Sequence, residues 1–238
     1  MLMMRYANIT NFDKISKYIQ TPLILLFAVF FPLSLFYIFF NSPDDYQQHE
    51  MVRVMYIHVP FAWLSLGIYL SIGILSVITI VWKSIISYIY AQALSAIGVV
   101  FCGLTLITGM LWGKPVWGAY WVWDARLTSM LVLFLIYIGY IVICKSETFY
   151  RTMNPASILA IIGMVNIPIV KFSVNIWYSL HQGPSIIRSG GVSIHKDMLT
   201  PLILMSITLL ILTCILFIIR AKTLIIILKK ENNDIRCN

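Results

Sequence analysis

Six stretches of this 238-residue chain are both long and free of Asp, Glu, Lys and Arg: residues 18–43, 54–82, 84–113, 127–144, 152–170 and 198–219. Each can carry a helix across the roughly 30 Å hydrocarbon core of a bilayer, for which about 20 apolar residues suffice. The stretches are continuously apolar rather than alternating over about ten residues, so a strand barrel is excluded. Apolar residues are 60% of the chain and charged residues 11%, against about 45–50% and about 25% in soluble domains. The expected fold is therefore an all-α integral membrane protein with six transmembrane helices. They are expected near 22–40, 57–80, 86–110, 127–144, 156–175 and 199–219 in a single membrane domain spanning 1–238. A seventh span has no room, because 176–197 holds Gly183, Pro184, Gly190, Gly191 and several charges. The first span is longer than a signal-peptide core and no small-x-small site follows it, so it is expected to remain.

Six spans put both termini on one side. That side carries Arg5, Lys14, Lys17, Lys83, Lys145, Arg151, Arg220, Lys222, Lys229, Lys230 and Arg236, with four acidic groups, for a net of +7. The other side carries six basic and five acidic groups, for a net of +1. Excess Lys and Arg mark the cytoplasmic side, so both termini are expected there. The basic balance is a topology signal and the partner it implies is the lipid bilayer. No dense basic face with interleaved stacking residues exists, which argues against nucleic acid. Cys102, Cys144, Cys214 and Cys237 form no CxxC pair, which argues against thiol-redox chemistry and structural zinc. No GxxxxGK[ST] loop occurs, and ionisable groups are missing from mid-membrane depth, which argues against an ion-coupled pump. The connections on the inner side are too short for a catalytic domain. Pro155, with Asn154 as its cap, is expected to open the fifth helix and Pro201 the sixth, and Lys229–Asn238 are expected to fray.

The unusual residues gather on the outer side. His49, His58, His181 and His195 all fall there, with Trp112, Trp117, Trp121, Trp123 and Trp177. Four of those tryptophans lie in the segment 111–126, within GMLWGKPVWGAYWVWDARLT. Gly113 and Pro115 suggest that the third helix stops before this segment. If 116–126 were helical, Trp117, Trp121 and Asp124 would share a face and form a short external aromatic amphipathic element. Two readings are open. One is an interfacial aromatic belt, with Lys114 and Arg126 at headgroup level. The other is a platform for a large flat apolar ligand, with Arg126 either paired to Asp124 or meeting an anionic ligand group.

His58, in MYIHVPFAW, begins the second span, and His181, in WYSLHQGP, follows the fifth, so the two lie at matching depth. Neutral imidazoles at such positions either satisfy local hydrogen bonds or ligate haem iron from opposite faces. A two-histidine zinc site completed by Asp124 or Glu50 is a weaker third reading, without HExxH spacing. His49 reads as exposed or supporting and His195 as solvated. Lys171 either snorkels outward or neutralises a carboxylate. Pro168 implies a kink or tight packing in the fifth span, near Asn166.

WGAYWVWDARLTS, together with VRVMYIHVPFAW and SLHQG, resembles the tryptophan-rich motif of the cytochrome c biogenesis haem-handling family, nearest its haem exporter branch. The resemblance covers nearly the whole chain. It implies a bacterial inner-membrane protein with its working loops in the periplasm. It implies that His58 and His181 are axial ligands of haem iron. It implies that Trp112, Trp117, Trp121, Trp123, Asp124 and Arg126 form the haem-holding surface, with haem b as transient cargo. The implied partners are a membrane-anchored periplasmic haem chaperone and an ATP-driven transporter complex whose ATPase is a separate chain. No nucleophile or general base stands out, so the implied role is delivery and transfer rather than catalysis. Trp177-Tyr178 and Pro184 depart from the family pattern. The alternatives are a haem-bearing electron-transfer subunit, or a scaffold that docks partners through the aromatic loop.

Overall fold

A computed structural model describes residues 9–46, 48–177, 179–181, 183 and 194–237. The described residues are helical apart from short connections and one isolated bridge between Asp45 and His49. The helices are α1 (Ile9–Phe36), α2 (Met55–Trp82), α3 (Ile85–Trp117), α4 (Ala125–Ser146), α5 (Phe149–Gly163), α6 (Asn166–Ile176) and α7 (Lys196–Cys237). A π-helical turn, Tyr37–Asn41, extends α1, and a 3-10 turn, Glu50–Val54, leads into α2. Six helical segments are long and apolar enough to cross a membrane, α5 and α6 together forming the fifth. Their exposed apolar side chains, such as Leu25 and Val29 on α1, suit lipid rather than water.

Helix ends follow local chemistry. Lys83 takes a left-handed conformation after α2, and Ser84 caps α3 by accepting the Ser87 N–H at 3.2 Å. The third helix does not stop before the aromatic segment as expected. It passes through Gly113 and Pro115 and ends at Gly118, where φ is +75° and the Gly118 N–H donates to the Lys114 carbonyl at 3.0 Å. Gly113 is needed for space rather than for a turn. The Trp117 ring folds over it, so a Cβ there would stand 2.9 Å from the indole. Pro155 does not open its helix either. The fifth span begins a turn and a half earlier at Phe149, whose N–H donates to the Glu231 carboxylate at 3.4 Å, so Asn154 is not a cap. Likewise α7 begins at Lys196, ahead of Pro201, and stays helical through the polar tail to Cys237.

The fifth span is broken at Met164 and Val165. Pro168 explains the position: it has no N–H for the Met164 carbonyl and its ring crowds that carbonyl. Asn166 bridges the break by donating from Nδ2 to the Ser129 carbonyl of α4 at 2.8 Å. The core is rich in tyrosine. Tyr69, Tyr88 and Tyr137 are fully buried and donate to the Ala160 carbonyl, Thr152 Oγ1 and the Ser65 carbonyl respectively. Inter-helix hydrogen bonds and close packing on small residues hold bundles where lipid removes most of the hydrophobic drive. These contacts tie α2 and α3 to α5, and α4 to α2 and α6.

Candidate functional site

His58 sits in the first turn of α2 and faces α3. Its Nδ1 lies 3.0 Å from Thr108 Oγ1. The Thr108 hydroxyl already donates its proton to the Leu104 carbonyl at 2.6 Å. It can therefore only accept from the imidazole, and the proton sits on Nδ1 of His58. Nε2 is left with a free lone pair. The ring lies against Gly109, where a Cβ would come within 3.0 Å of Cε1. The Trp112 ring meets it edge-on, with centroids 5.6 Å apart. The Trp112 indole N–H donates to Gln48 Oε1 at 2.7 Å, which ties the first outer loop to the end of α3.

His181 repeats the arrangement with a stronger acceptor. Its Nδ1 lies 2.7 Å from Asp124 Oδ2, and the Asp124 side chain is only 6% exposed. The other oxygen, Oδ1, caps α4 by accepting the Leu127 N–H at 2.7 Å. Ser179 adds its hydroxyl to Oδ2 at 2.6 Å and accepts the His181 backbone N–H at 3.2 Å. Burial pushes the Asp124 carboxyl up, but the bonds from Leu127, Ser179 and His181 outweigh it and hold the carboxyl below its ordinary value. Burial also disfavours the His181 cation. Asp124 opposes that effect and Arg126 reinforces it, and the result lies below the ordinary 6.5. His181 is thus a neutral imidazole at physiological pH, with its proton on Nδ1 and Nε2 free. A histidine that gives its second N–H to a carboxylate or hydroxyl is the usual form of a metal ligand, with ring orientation and tautomer fixed from behind.

The two imidazoles are close enough to interact electrostatically, and the tryptophans at the end of α3 run between them. Trp117, folded over Gly113, meets the His181 ring edge-on with centroids 4.8 Å apart. After Gly118 the chain is non-helical to Asp124. The expected helical face of Trp117, Trp121 and Asp124 therefore does not form: Trp117 ends one helix, Asp124 caps the next, and an extended link carries Trp121. Trp121 and Trp123 pack edge to face at 5.4 Å. They differ in exposure, since Trp123 is 76% exposed whereas the Trp121 indole N–H is buried without a partner. Arg126 does not form the ion pair with Asp124 considered above. Its Nε donates instead to Ser173 Oγ of α6 at 3.4 Å, because both Asp124 oxygens are already engaged.

His49 is exposed, with a left-handed φ of +49°, and His195 is exposed beside Asp197. Lys171 is exposed on α6. Tyr178 and Pro184 lie outside the described residues. Among the described residues no three His, Cys, Asp or Glu side chains gather as a metal cluster. Asp124 stands behind His181 rather than beside its free nitrogen, which removes it as the completing ligand of a zinc site. Thr108, Ser179 and Gln48 belong to the site and were not evident from the sequence. Serine two residues before a histidine is a weak signal, and Thr108 carries none until α2 and α3 are placed side by side.

The CcmC family model, described as heme exporter protein C, matches residues 2–236. The "Heme exporter protein C" of Bradyrhizobium diazoefficiens is 46% identical over 175 residues, which cover 72% of this chain and 66% of that protein. A "Putative cytochrome c biosynthesis ccmC-like mitochondrial protein" of Marchantia polymorpha is 45% identical over 78% of each chain. The "Heme exporter protein C" of Escherichia coli K12 is 40% identical over 80% of this chain and 77% of its own. The chain belongs to the heme exporter protein C family, and with it to the haem-handling membrane proteins of cytochrome c biogenesis, which are not enzymes.

Proposed function

We propose that the protein binds haem at the outer, periplasmic face of the inner membrane and promotes its transfer to a membrane-anchored haem chaperone. His58 and His181 are the axial ligands in this reading. One observation carries it: both histidines have Nδ1 engaged by an acceptor, Thr108 Oγ1 and Asp124 Oδ2, so that both present an unprotonated Nε2. Structural histidines need no such coincidence. Trp112 and Trp117 flank the ligands and offer rigid apolar area to the macrocycle. The unpaired indole N–H of Trp121 and the guanidinium of Arg126 supply donors of the kind that carboxylates recognise. Exposed Trp123 and Tyr120 supply an aromatic surface for the chaperone. Haem itself supplies the redox and ligation chemistry. This chain orients it, keeps both ligand nitrogens free of protons, and excludes water on the side toward the helices. The ATP-driven transporter subunits are the remaining partners.

The test is the visible spectrum of the purified protein, oxidised and reduced, for wild type, His58→Ala and His181→Ala, each produced with and without the chaperone. Low-spin two-histidine haem in wild type, lost or weakened in each variant, is the expected result. Unchanged spectra in both variants would reject the ligand assignment. Haem retained equally without the chaperone, with reversible redox cycling, would favour a resident electron carrier.

A further inference from the structure

At the end of the bundle opposite the histidines, α3, α4 and α7 enclose a cavity of about 230 Å³ lined by Gln92, Ser95, Cys144, Lys145 and Arg220, among others. Arg220 Nε and Gln92 Oε1 are buried there without a hydrogen-bond partner. Among the described residues no carboxylate lines the cavity. It adjoins a second cavity of about 320 Å³ between α3 and α7, lined by Ile97, Val100, Phe101, Leu216 and Ile219. Ala96 and Arg220 line both, so the two meet at these side chains. Along α3 and α7 the second cavity lies nearer the middle of the bundle. The polar part thus sits toward the membrane surface and the apolar part runs inward from it.

This division matches one kind of molecule. Arg220 is half-buried, with its Nε withdrawn from water and unbonded; a buried donor without an acceptor is unfavourable, and so is a buried amide oxygen without a donor. Two cations on a cavity without a carboxylate among its described lining residues call for an anion, and guanidinium pairs well with a phosphate. An unpaired acceptor beside them calls for a hydroxyl. A groove floored by aliphatic side chains continues from that point into the hydrocarbon region. Basic pockets between spanning helices on the cation-rich side are a recognised setting for anionic headgroups. We infer that this is a binding site for an acidic phospholipid with a hydroxyl-bearing headgroup, of the phosphatidylglycerol type. Arg220 and Lys145 hold the phosphodiester, Gln92 Oε1 accepts from the headgroup hydroxyl, and one acyl chain lies along Val100, Phe101 and Leu216. Lipid bound here fastens α7 to α3 and α4 from inside the leaflet.

The experiment is native mass spectrometry of the full chain, released from nanodiscs of phosphatidylglycerol and phosphatidylcholine mixed in equal parts. Wild type is expected to retain one phosphatidylglycerol in preference to phosphatidylcholine. Arg220→Gln and Lys145→Gln are each expected to lower that preference by about fivefold or more, the value of one basic residue near a charged headgroup. His58→Ala and His181→Ala are expected to leave it unchanged, which separates this site from the haem reading. Lys145 is exposed, so its variant serves if Arg220→Gln folds poorly. Equal retention of the two lipids, or a preference untouched in both cation variants, overturns the proposal. So does a second equivalent of haem that displaces phosphatidylglycerol in wild type and is lost in Lys145→Gln, because the anion would then be a haem carboxylate.

Discussion

Replacing Asp124 with asparagine removes the negative charge behind His181 and one of the two acceptor oxygens, and keeps the size and shape of the side chain. Asparagine caps helices about as well as aspartate, so the bond to the Leu127 N–H survives and α4 starts in the same place. What changes is the partner of His181 Nδ1, 2.7 Å from Oδ2: with the one amide oxygen capping Leu127, the amide NH2 faces that nitrogen, and a donor meets a donor. The ring then either strands its Nδ1–H, at a cost of about 1–3 kcal/mol, or moves its proton to Nε2, the nitrogen meant for iron. Partners behind metal-ligating histidines have effects of about 10–100-fold, which puts the expected weakening of haem binding at about tenfold or more. The assay is an absorption titration of the haem-free protein in detergent, repeated across acidic and neutral pH. With Nδ1 protonated, a second proton can enter His181 only at Nε2, so it competes directly with iron. The His181 pKa is already lowered from 6.5, first by burial and then by Arg126, against the pull of Asp124. Affinity is therefore level above 6.5 and falls as pH drops through the lowered value. Any folding stability linked to the neutral ring follows the same direction. Asparagine removes the one influence that raises this pKa, so the neutral-pH affinity drops while the acid limb moves to lower pH. Simple loss of fold cannot produce that pair of changes. Neutral-pH affinity within twofold of wild type, or an acid limb that moves upward, would refute the reasoning.

Three further outcomes are expected. Thr108→Val removes the hydroxyl that accepts from His58 Nδ1, a cost of about 1–3 kcal/mol, and is expected to weaken haem binding about tenfold where Thr108→Ser does not; equal behaviour of the two variants in the titration would remove Thr108 from the site. Gly109→Ala sets a Cβ 3.0 Å from His58 Cε1 and is expected to reduce the low-spin haem signal, although alanine favours the helix itself by about 0.8–1 kcal/mol; thermal unfolding would then be level or raised, and a parallel fall in both would point to general damage instead. Asn166→Ala removes the 2.8 Å bond across to α4 and is expected to cost about 0.6–1.7 kcal/mol in detergent unfolding, with no loss if α6 is held mainly by other contacts.

The spans were legible because charge-free length is a one-dimensional property, and lipid enforces it. The helix ends were less so. Gly113 and Pro115 read as a stop because both disfavour helices, yet Gly113 is where Trp117 folds back, and that contact exists only in three dimensions. Pro155 read as a first-turn residue because the bond from Phe149 to Glu231 joins positions far apart in the chain. At the outer site the residue types were informative and their geometry was not. Asp124 next to the tryptophans suggested a pairing with Arg126, two positions away, whereas it faces His181 across a long separation. Thr108 was invisible among apolar neighbours, since its role depends on α2 and α3 lying in register. The broken fifth span was the easier inference, because Pro168 acts on its own backbone.

That break leaves α6 fastened to α4, through Asn166 to Ser129 and Arg126 to Ser173, while its join to α5 keeps only hydrogen bonds that reach three residues back. Each imidazole of the outer site has its own acceptor behind it, Asp124 for His181 and Thr108 for His58, so neither proton depends on the opposite partner. In the haem-binding reading, a change in the distance between the two Nε2 atoms would therefore move no proton, and release would need separation alone.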